Sequence, residues 1–272
     1  MPEIAEVETV RNVLKRKVLH KKIINVIVRY KNILEVDEEY FKNIVIGKEI
    51  KDIERKGKWL LFDLGDYYLL SHLRMEGKYY IKDSSEAYNK HEHIIFCFED
   101  NTDLRYHDTR KFGRMNLVEK SEINLASELV KLGYDPDDIH LTKEYLYESF
   151  KNKKKPMKTT LLDQSIISGL GNIYVDEVLF KAHINPIRIP SSLSIEDCDN
   201  IIKASREIIR KAIAEGGTTI RSYTSSLGVT GNYQNYLCVH KREGLPCPIC
   251  GKPIKKIKIG GRSTYYCENC QK

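Results

Sequence analysis

Several features are missing from this chain of 272 residues. No apolar run approaches the ~18–20 residues of a membrane span, so no membrane-embedded class is expected. The N-terminus is charged within three residues and has no apolar region behind it, so a secretory leader is not expected and the cytoplasm is the default compartment. There is no internal repeat and no low-complexity tract, which sets aside repeat architectures and long disordered linkers. A strong charge bias is also absent: 45 Lys and Arg stand against 38 Asp and Glu, a net charge of +7. What remains is ordinary globular material. Hydrophobic residues make up 41% and charged residues 31%, enough for sizeable cores, and the length suits two domains plus an appendage.

Seven cysteines in a reducing compartment do not read as a disulfide frame. Cys247, Cys250, Cys267 and Cys270 form two C-x2-C pairs separated by sixteen residues. That spacing brings four thiolates to one tetrahedral zinc, and an all-cysteine set leaves no open position for water, so the zinc is expected to be structural. Gly260 and Gly261 sit between the pairs as a hairpin turn requires. Cys97, Cys198 and Cys238 read as small buried hydrophobes.

The positive charge is unevenly placed. From His240 to Lys272 there are eight Lys and Arg against Glu243 and Glu268, and the stretch KNKKKPMK, Lys151 to Lys158, holds five lysines and no acid. Such patches suit a polyanion, because each cation that neutralises a phosphate releases a counterion. A solvated charged face gives the same pattern.

Hydrophobic periodicity organises the rest. Ile4, Val7, Val10, Leu14 and Val18 mark one stripe of a helix. From about Lys22 to Glu119 the pattern is of short strands, KIINVIVRY, KWLLFDL, YYLLSHL, KYYI, HIIFCF, DLRYHD and MNLVE, with polar turns between them, as in an antiparallel sandwich or barrel. Beyond a break near Lys120, helices are expected in EINLASELVKLG, LTKEYLYESFKN, NIYVDEVLFKAH and IEDCDNIIKASREIIRKAIAEGG. The polar stretch GGTTIRSYTSSLGVTGNYQNY then leads to the zinc segment.

The opening, MPEIAEVETV, carries the sharpest chemical signal. Once the initiator methionine is removed, Pro2 presents a secondary amine, and a free α-amine has a pKa near ~8. The positive end of the following helix disfavours its protonation further. Such an amine attacking a sugar C1′ yields an iminium, an electron sink for later elimination. Glu3 could move protons beside it, with Glu6 one turn on. Proline and acids also suit any first helical turn.

MPEIAEVETV closely resembles the MPELPEVET opening of the formamidopyrimidine-DNA glycosylases, bacterial base-excision repair enzymes. RKGKWLLFDL is similar to the family's lysine-bearing strand, and SHLRMEGKY and YHDTRKFG to its two duplex-probing loops. ISGLGNIYVDEVLFKAHINP resembles its helix–two-turns–helix signature, and CPICGKPIKKIKIGGRSTYYCENCQ its zinc finger. The motifs run in the family's order from end to end. Two departures, Ala5 for a common proline and DTRKFG for DPRRFG, remove no reactive group.

The resemblance implies roles. Pro2 would be the Schiff-base nucleophile, Glu3 its acid–base partner, Lys58 the proton donor in β-elimination, and Arg262 a catalytic residue that binds the phosphates flanking the flipped nucleotide and assists the final elimination. Met75, Arg110 and Phe112 would fill the gap left by the extruded base, Arg110 favouring cytosine opposite. His91, Arg110, Lys153, Lys158 and Asn172 would position phosphates, and the loop from Thr218 to Tyr236 would hold the base.

The expected architecture is α+β: an antiparallel β-sandwich with a leading helix over residues 1–120, a helical domain with the lesion loop over 121–236, and a β-hairpin zinc finger over 237–272. The expected activity is excision of oxidised purines, 8-oxoguanine and formamidopyrimidines, from double-stranded DNA, with β,δ-elimination. A monomer with one structural zinc and no nucleotide cofactor would suffice, in the bacterial cytoplasm and nucleoid-associated through DNA. Two rivals are an endonuclease VIII-like enzyme for oxidised pyrimidines, whose opening reads PEGPEI, and a lesion-binding zinc protein without catalysis.

Overall fold

A computed structural model describes residues 1–218 and 231–272. The chain forms two compact units, Met1–Val130 with Thr218–Gly231, and Lys131–Gly217 with Asn232–Lys272. The helical and zinc segments fall together in the second.

The first unit opens with α1 (Ile4–Val18). Its stripe of Ile4, Val7, Val10, Leu14 and Val18 is buried, as the spacing requires. Two four-stranded antiparallel sheets follow. One runs in the order β1 (Ile23–Val28), β6 (Glu92–Phe98), β7 (Thr102–His107), β5 (Lys78–Asp83). The other runs β2 (Asp52–Lys56), β3 (Trp59–Asp63), β4 (Tyr67–His72), β8 (Arg114–Glu119). They form a sandwich around Val26, Ile53, Leu60, Phe62, Leu69, Ile94, Phe96, Leu104 and Leu117, and α1 adds Val7, Val10 and Leu14 to the same core. Phe62 and Tyr79 meet edge-on across it, their ring centroids 5.7 Å apart.

Two elements lie outside the expected pattern. α2 (Glu38–Val45) is capped by Asp37, whose carboxylate accepts the Glu39 and Tyr40 amides, and β2 reads DIERK. A strand so rich in charge shows no apolar alternation: only Ile53 is buried, and pairing with β3 holds the rest.

The second unit contains α3 (Lys143–Phe150), α4 (Met157–Leu161), α5 (Asn172–Lys181) and α6 (Ile195–Ala214), then the hairpin of β9 (Lys255–Ile259) and β10 (Arg262–Tyr266). Ser194 and Asp197 start α6 with a reciprocal capping box. The helix expected from EINLASELVKLG does not form; Lys120–Leu125 is a 3-10 turn followed by irregular backbone. Burial of its apolar residues is split, with Ala126 and Leu129 buried but Leu125 77% and Val130 57% exposed, so no continuous apolar helix face is covered there. Among the described residues no helix is long and apolar enough to cross a membrane.

Candidate active site and nucleic-acid interface

In the first unit the site grows from the first turn of α1. The Glu6 carboxylate accepts the Glu3 N–H at 2.8 Å, and the Glu3 carboxylate takes the Glu6 N–H in return. This box ends the helix at Glu3 and leaves Pro2 buried just outside its positive end. The other Glu6 oxygen accepts the Thr218 amide at 2.8 Å and hydroxyl at 2.9 Å. Glu6 is therefore a structural joint.

Met1 is present, so the Pro2 nitrogen is here an amide and the free amine belongs to Met1. Its pKa is lowered from the ordinary 8.0, first by burial and then by Lys58, while Glu3, Glu6 and Glu76 oppose the shift. Removing Met1 transfers that amine to Pro2. Glu3 itself is 3% exposed.

Lys58 lies on the turn just ahead of β3 rather than on the strand, following Gly57 in a left-handed conformation (φ +57°). Arg55 fixes this turn to α1 by donating to Glu8 at 2.7 Å and to the Gly57 carbonyl at 3.0 Å. Lys58 is consequently 6% exposed, within the electrostatic reach of the amine and of His72. His72 was not singled out in the sequence, although it lies within a quoted loop motif. Burial, then Arg74 and Lys58, push its pKa down to about 3, so the ring is neutral; its Nδ1 accepts the Arg74 amide at 2.9 Å. Glu8, Arg55 and His72 all lie inside the motifs, but only the fold shows what each of them touches.

The residues expected to fill the gap stand on two loops of this unit, with Met75 39% and Phe112 49% exposed. The Asp108 carboxylate organises the second loop by accepting the amides of Arg110, Phe112 and Gly113 at 3.0, 2.9 and 2.8 Å. The Arg110 guanidinium lies 4.6 Å from the centre of the Phe112 ring. Met75, Phe112, Tyr30, Asn32, Arg74 and Lys111, with Met1 and Arg114, line a cavity of about 650 Å³. His91 is half-buried with its ring 5.5 Å from His107, and its carbonyl accepts the Asp108 amide. The neighbouring His93 is buried and bonds the Asp108 carbonyl through Nε2 at 2.8 Å.

In the second unit, four sulfurs converge. The Sγ atoms of Cys247, Cys250, Cys267 and Cys270 all lie within 4.8 Å of one another, with Cys247–Cys270 at 3.9 Å and Cys250–Cys267 at 3.5 Å. Tetrahedral zinc with bonds of about 2.3 Å sets its sulfurs roughly 3.8 Å apart, so the site fits one structural zinc. Gly260 and Gly261 form the hairpin turn with positive φ (+54° and +77°), and Arg262 is exposed just after it. The Ser263 carbonyl accepts the Asn172 side-chain N–H at 3.1 Å, which brings Asn172, at the head of α5, beside Arg262.

Lys158 requires a correction. Expected on a phosphate, it is fully buried, with Nζ 2.8 Å from the Asn172 carbonyl and 2.8 Å from Asp176 Oδ1. A buried ammonium committed to a carboxylate cannot also reach a phosphate. Asp176 Oδ2 in turn meets His240 Nδ1 at 2.7 Å, and Glu177 accepts the amides of Cys238, Val239 and His240. Lys158 thus belongs to the network that fastens the zinc segment to α5. Lys153 remains accessible, with Nζ 3.5 Å from Asp163. Most of the loop expected to hold the base, residues 219–230, lies outside the described residues.

The comparisons with known proteins agree along the chain. Residues 1–115 match the formamidopyrimidine-DNA glycosylase N-terminal domain, residues 132–224 its H2TH domain, and residues 244–272 the zinc finger found in FPG and IleRS. The formamidopyrimidine-DNA glycosylase of Listeria monocytogenes is 45% identical over 273 residues, covering 100% of both chains. That of Pediococcus pentosaceus is 47% identical over 272 residues, covering 100% of this chain and 99% of its own. Among solved structures, wild-type Lactococcus lactis Fpg with DNA containing N7-benzyl-Fapy-dG superposes with a TM-score of 0.93 at 38% identity, covering 100% of both chains. The same enzyme with abasic-site DNA gives 0.93 at 38% identity, covering 99% of each.

Proposed function

The chain belongs to the formamidopyrimidine-DNA glycosylase family of base-excision repair enzymes, and from that premise we propose that it is a bifunctional glycosylase and abasic-site lyase working through Pro2. One observation supports the reading: Pro2 is buried at the head of α1 beside the buried Glu3 and Lys58, and the α-amine one residue before it, on Met1, has a lowered pKa in the field of Glu3, Glu6 and Lys58. A neutral amine held in that setting is a nucleophile at neutral pH.

The substrate is double-stranded DNA bearing an oxidised purine, and the L. lactis complexes with Fapy-type and abasic DNA support that class. Met75 and Phe112 enter the stack as the damaged nucleotide leaves it, and Arg110 donates to the orphaned base. The Pro2 nitrogen then bonds to C1′ as the C1′–N9 bond breaks and the base departs with a proton. Glu3 delivers a proton to the ring oxygen, opening the sugar to an iminium. Loss of a C2′ proton expels the 3′ phosphate, and a second elimination expels the 5′ phosphate. Lys58 supplies protons to these steps. Arg262, Asn172, His91 and Lys153 hold phosphates, with the N-terminus of α5 contributing amides. The zinc holds the hairpin that carries Arg262 and takes no part in bond making.

Borohydride trapping on an 8-oxoguanine duplex tests the reading. The expected result is a covalent adduct whose peptide map places DNA on an N-terminal Pro2. An adduct on another residue, or none from processed and zinc-loaded protein, would sink it.

A further inference from the structure

The two duplex-probing loops are built alike. In the first, Arg74 takes a left-handed backbone (φ +49°) just before Met75, and Gly77 closes the loop. In the second, Lys111 does the same (φ +57°) just before Phe112, and Gly113 closes it. Non-glycine residues persist at such angles where their surroundings over-determine them, often at ligand clamps. One side chain meets both loops at their closing glycines.

Tyr106, on β7, has no exposed surface, and its hydroxyl occupies the space between the two glycines. A Cβ added at either Gly77 or Gly113 would overlap that same oxygen. The hydroxyl is 3.5 Å from the Asp108 oxygen that accepts the Phe112 and Gly113 amides, so it reaches the second loop's organising carboxylate as well. The first loop is closed by its own Gly77 N–H to Leu73 carbonyl bond of 2.9 Å, directly against the phenol. The ring is clamped by Tyr79, 5.3 Å away and steeply tilted. Backbone approach this close leaves little room for one loop to move without displacing the oxygen on which the other is seated.

We infer that Tyr106 is a positioning residue that locks Met75 and Phe112 into one unit, so that the two wedges enter the duplex together. This rests on the wedge reading given under the proposed function. Tyr106 touches no DNA; it acts through the loops.

Tyr106→Phe keeps the ring and removes the oxygen. In single-turnover assays, release of 8-oxoguanine from a duplex should slow about tenfold, the size of one buried hydrogen bond. Adduct trapping on single-stranded abasic DNA, which needs no wedge, should stay within about twofold. A general packing defect could mimic the first result, so the decisive readout is a cycle with the wedges removed. In a Met75→Ala/Phe112→Ala background, Tyr106→Phe should change the duplex rate by less than about twofold. An equal cost in both backgrounds overturns the inference. Tyr68→Phe, which loses a hydroxyl bonded to Glu54 on β2, should leave the duplex rate unchanged; a matching loss there also overturns it. If Tyr106→Phe is too unstable to assay, Gly77→Ala and Gly113→Ala replace it, each forcing the same oxygen aside. Non-additive costs support the coupling and additive costs reject it. Failure of the parent protein to form any adduct would instead strike the amine reading.

Discussion

The β-sandwich and the zinc hairpin solve opposite problems. The sandwich buries a broad apolar core and can therefore hold Glu3, Glu6, Lys58 and His72 out of water. The hairpin shares a cluster of only five buried residues, Phe180, Val239, Cys247, Ile254 and Cys267, and two of these are zinc ligands. It cannot stand on burial alone and uses a metal, as small modules must. It buries little charge in return: among the described residues Lys258 and Arg262 have no ion pair, and both are exposed. A nucleophilic amine needs desolvation to be neutral, whereas a phosphate ligand needs exposure to be met. The chemistry and the grip proposed for them would thus be built by different physics.

The largest effect expected from breaking this contrast is at the amine. Protein that retains Met1, or is acetylated at its N-terminus, should give no trapped adduct while binding abasic duplex normally by fluorescence anisotropy. Next is the metal. Cys250→Ser, or chelation, should remove zinc and weaken duplex binding on the order of 100-fold as several phosphate contacts are lost. The sandwich's own thermal transition should survive, and co-unfolding of both would refute the division of labour.

A smaller effect tests burial of charge within the sandwich. His72 has a folded pKa of about 3 against an ordinary 6.5, so it is neutral when folded and binds a proton on unfolding below pH 6.5. The stability this neutrality confers is present above pH 6.5 and is lost as pH falls towards 3. Between pH 7 and pH 5 the parent's Tm should therefore drop on the order of 5 °C more than that of His72→Gln. Equal drops would show that His72 is not held neutral. The smallest effect concerns the amine's field. Burial lowers the α-amine on Met1, and an amine exposed at the neighbouring buried Pro2 should likewise give a trapping rate that rises with pH through a midpoint below the ordinary 8.0. Glu76 raises the pKa of the amine at this end, so Glu76→Gln should move the midpoint down. A move upward would reverse the assigned sign.

Much of this was legible in the sequence because it depends on short-range pattern. The α1 stripe, seven strands and the cysteine pairs declare themselves through periodicity and spacing. What was hidden depends on partners far along the chain. Lys158 sits in a lysine-rich run and reads as solvated; its burial follows from Asp176, 18 positions away, which no local pattern pairs with it. β2 is held by its neighbour, and His72 acquires its character from packing against Trp59, ring centroids 4.8 Å apart. EINLASELVKLG shows the converse, a helical pattern that forms no helix: Ala126 and Leu129 are buried, but Leu125 and Val130 are left exposed.

The bonds from Thr218 to Glu6 join positions 212 residues apart. During synthesis the first turn consequently emerges long before its distal anchor exists, and the growing chain must wait for nearly four-fifths of its length before that end can close. The joint at the head of α1 is thus closed by its most distant partner, and the direction of translation makes that closure late.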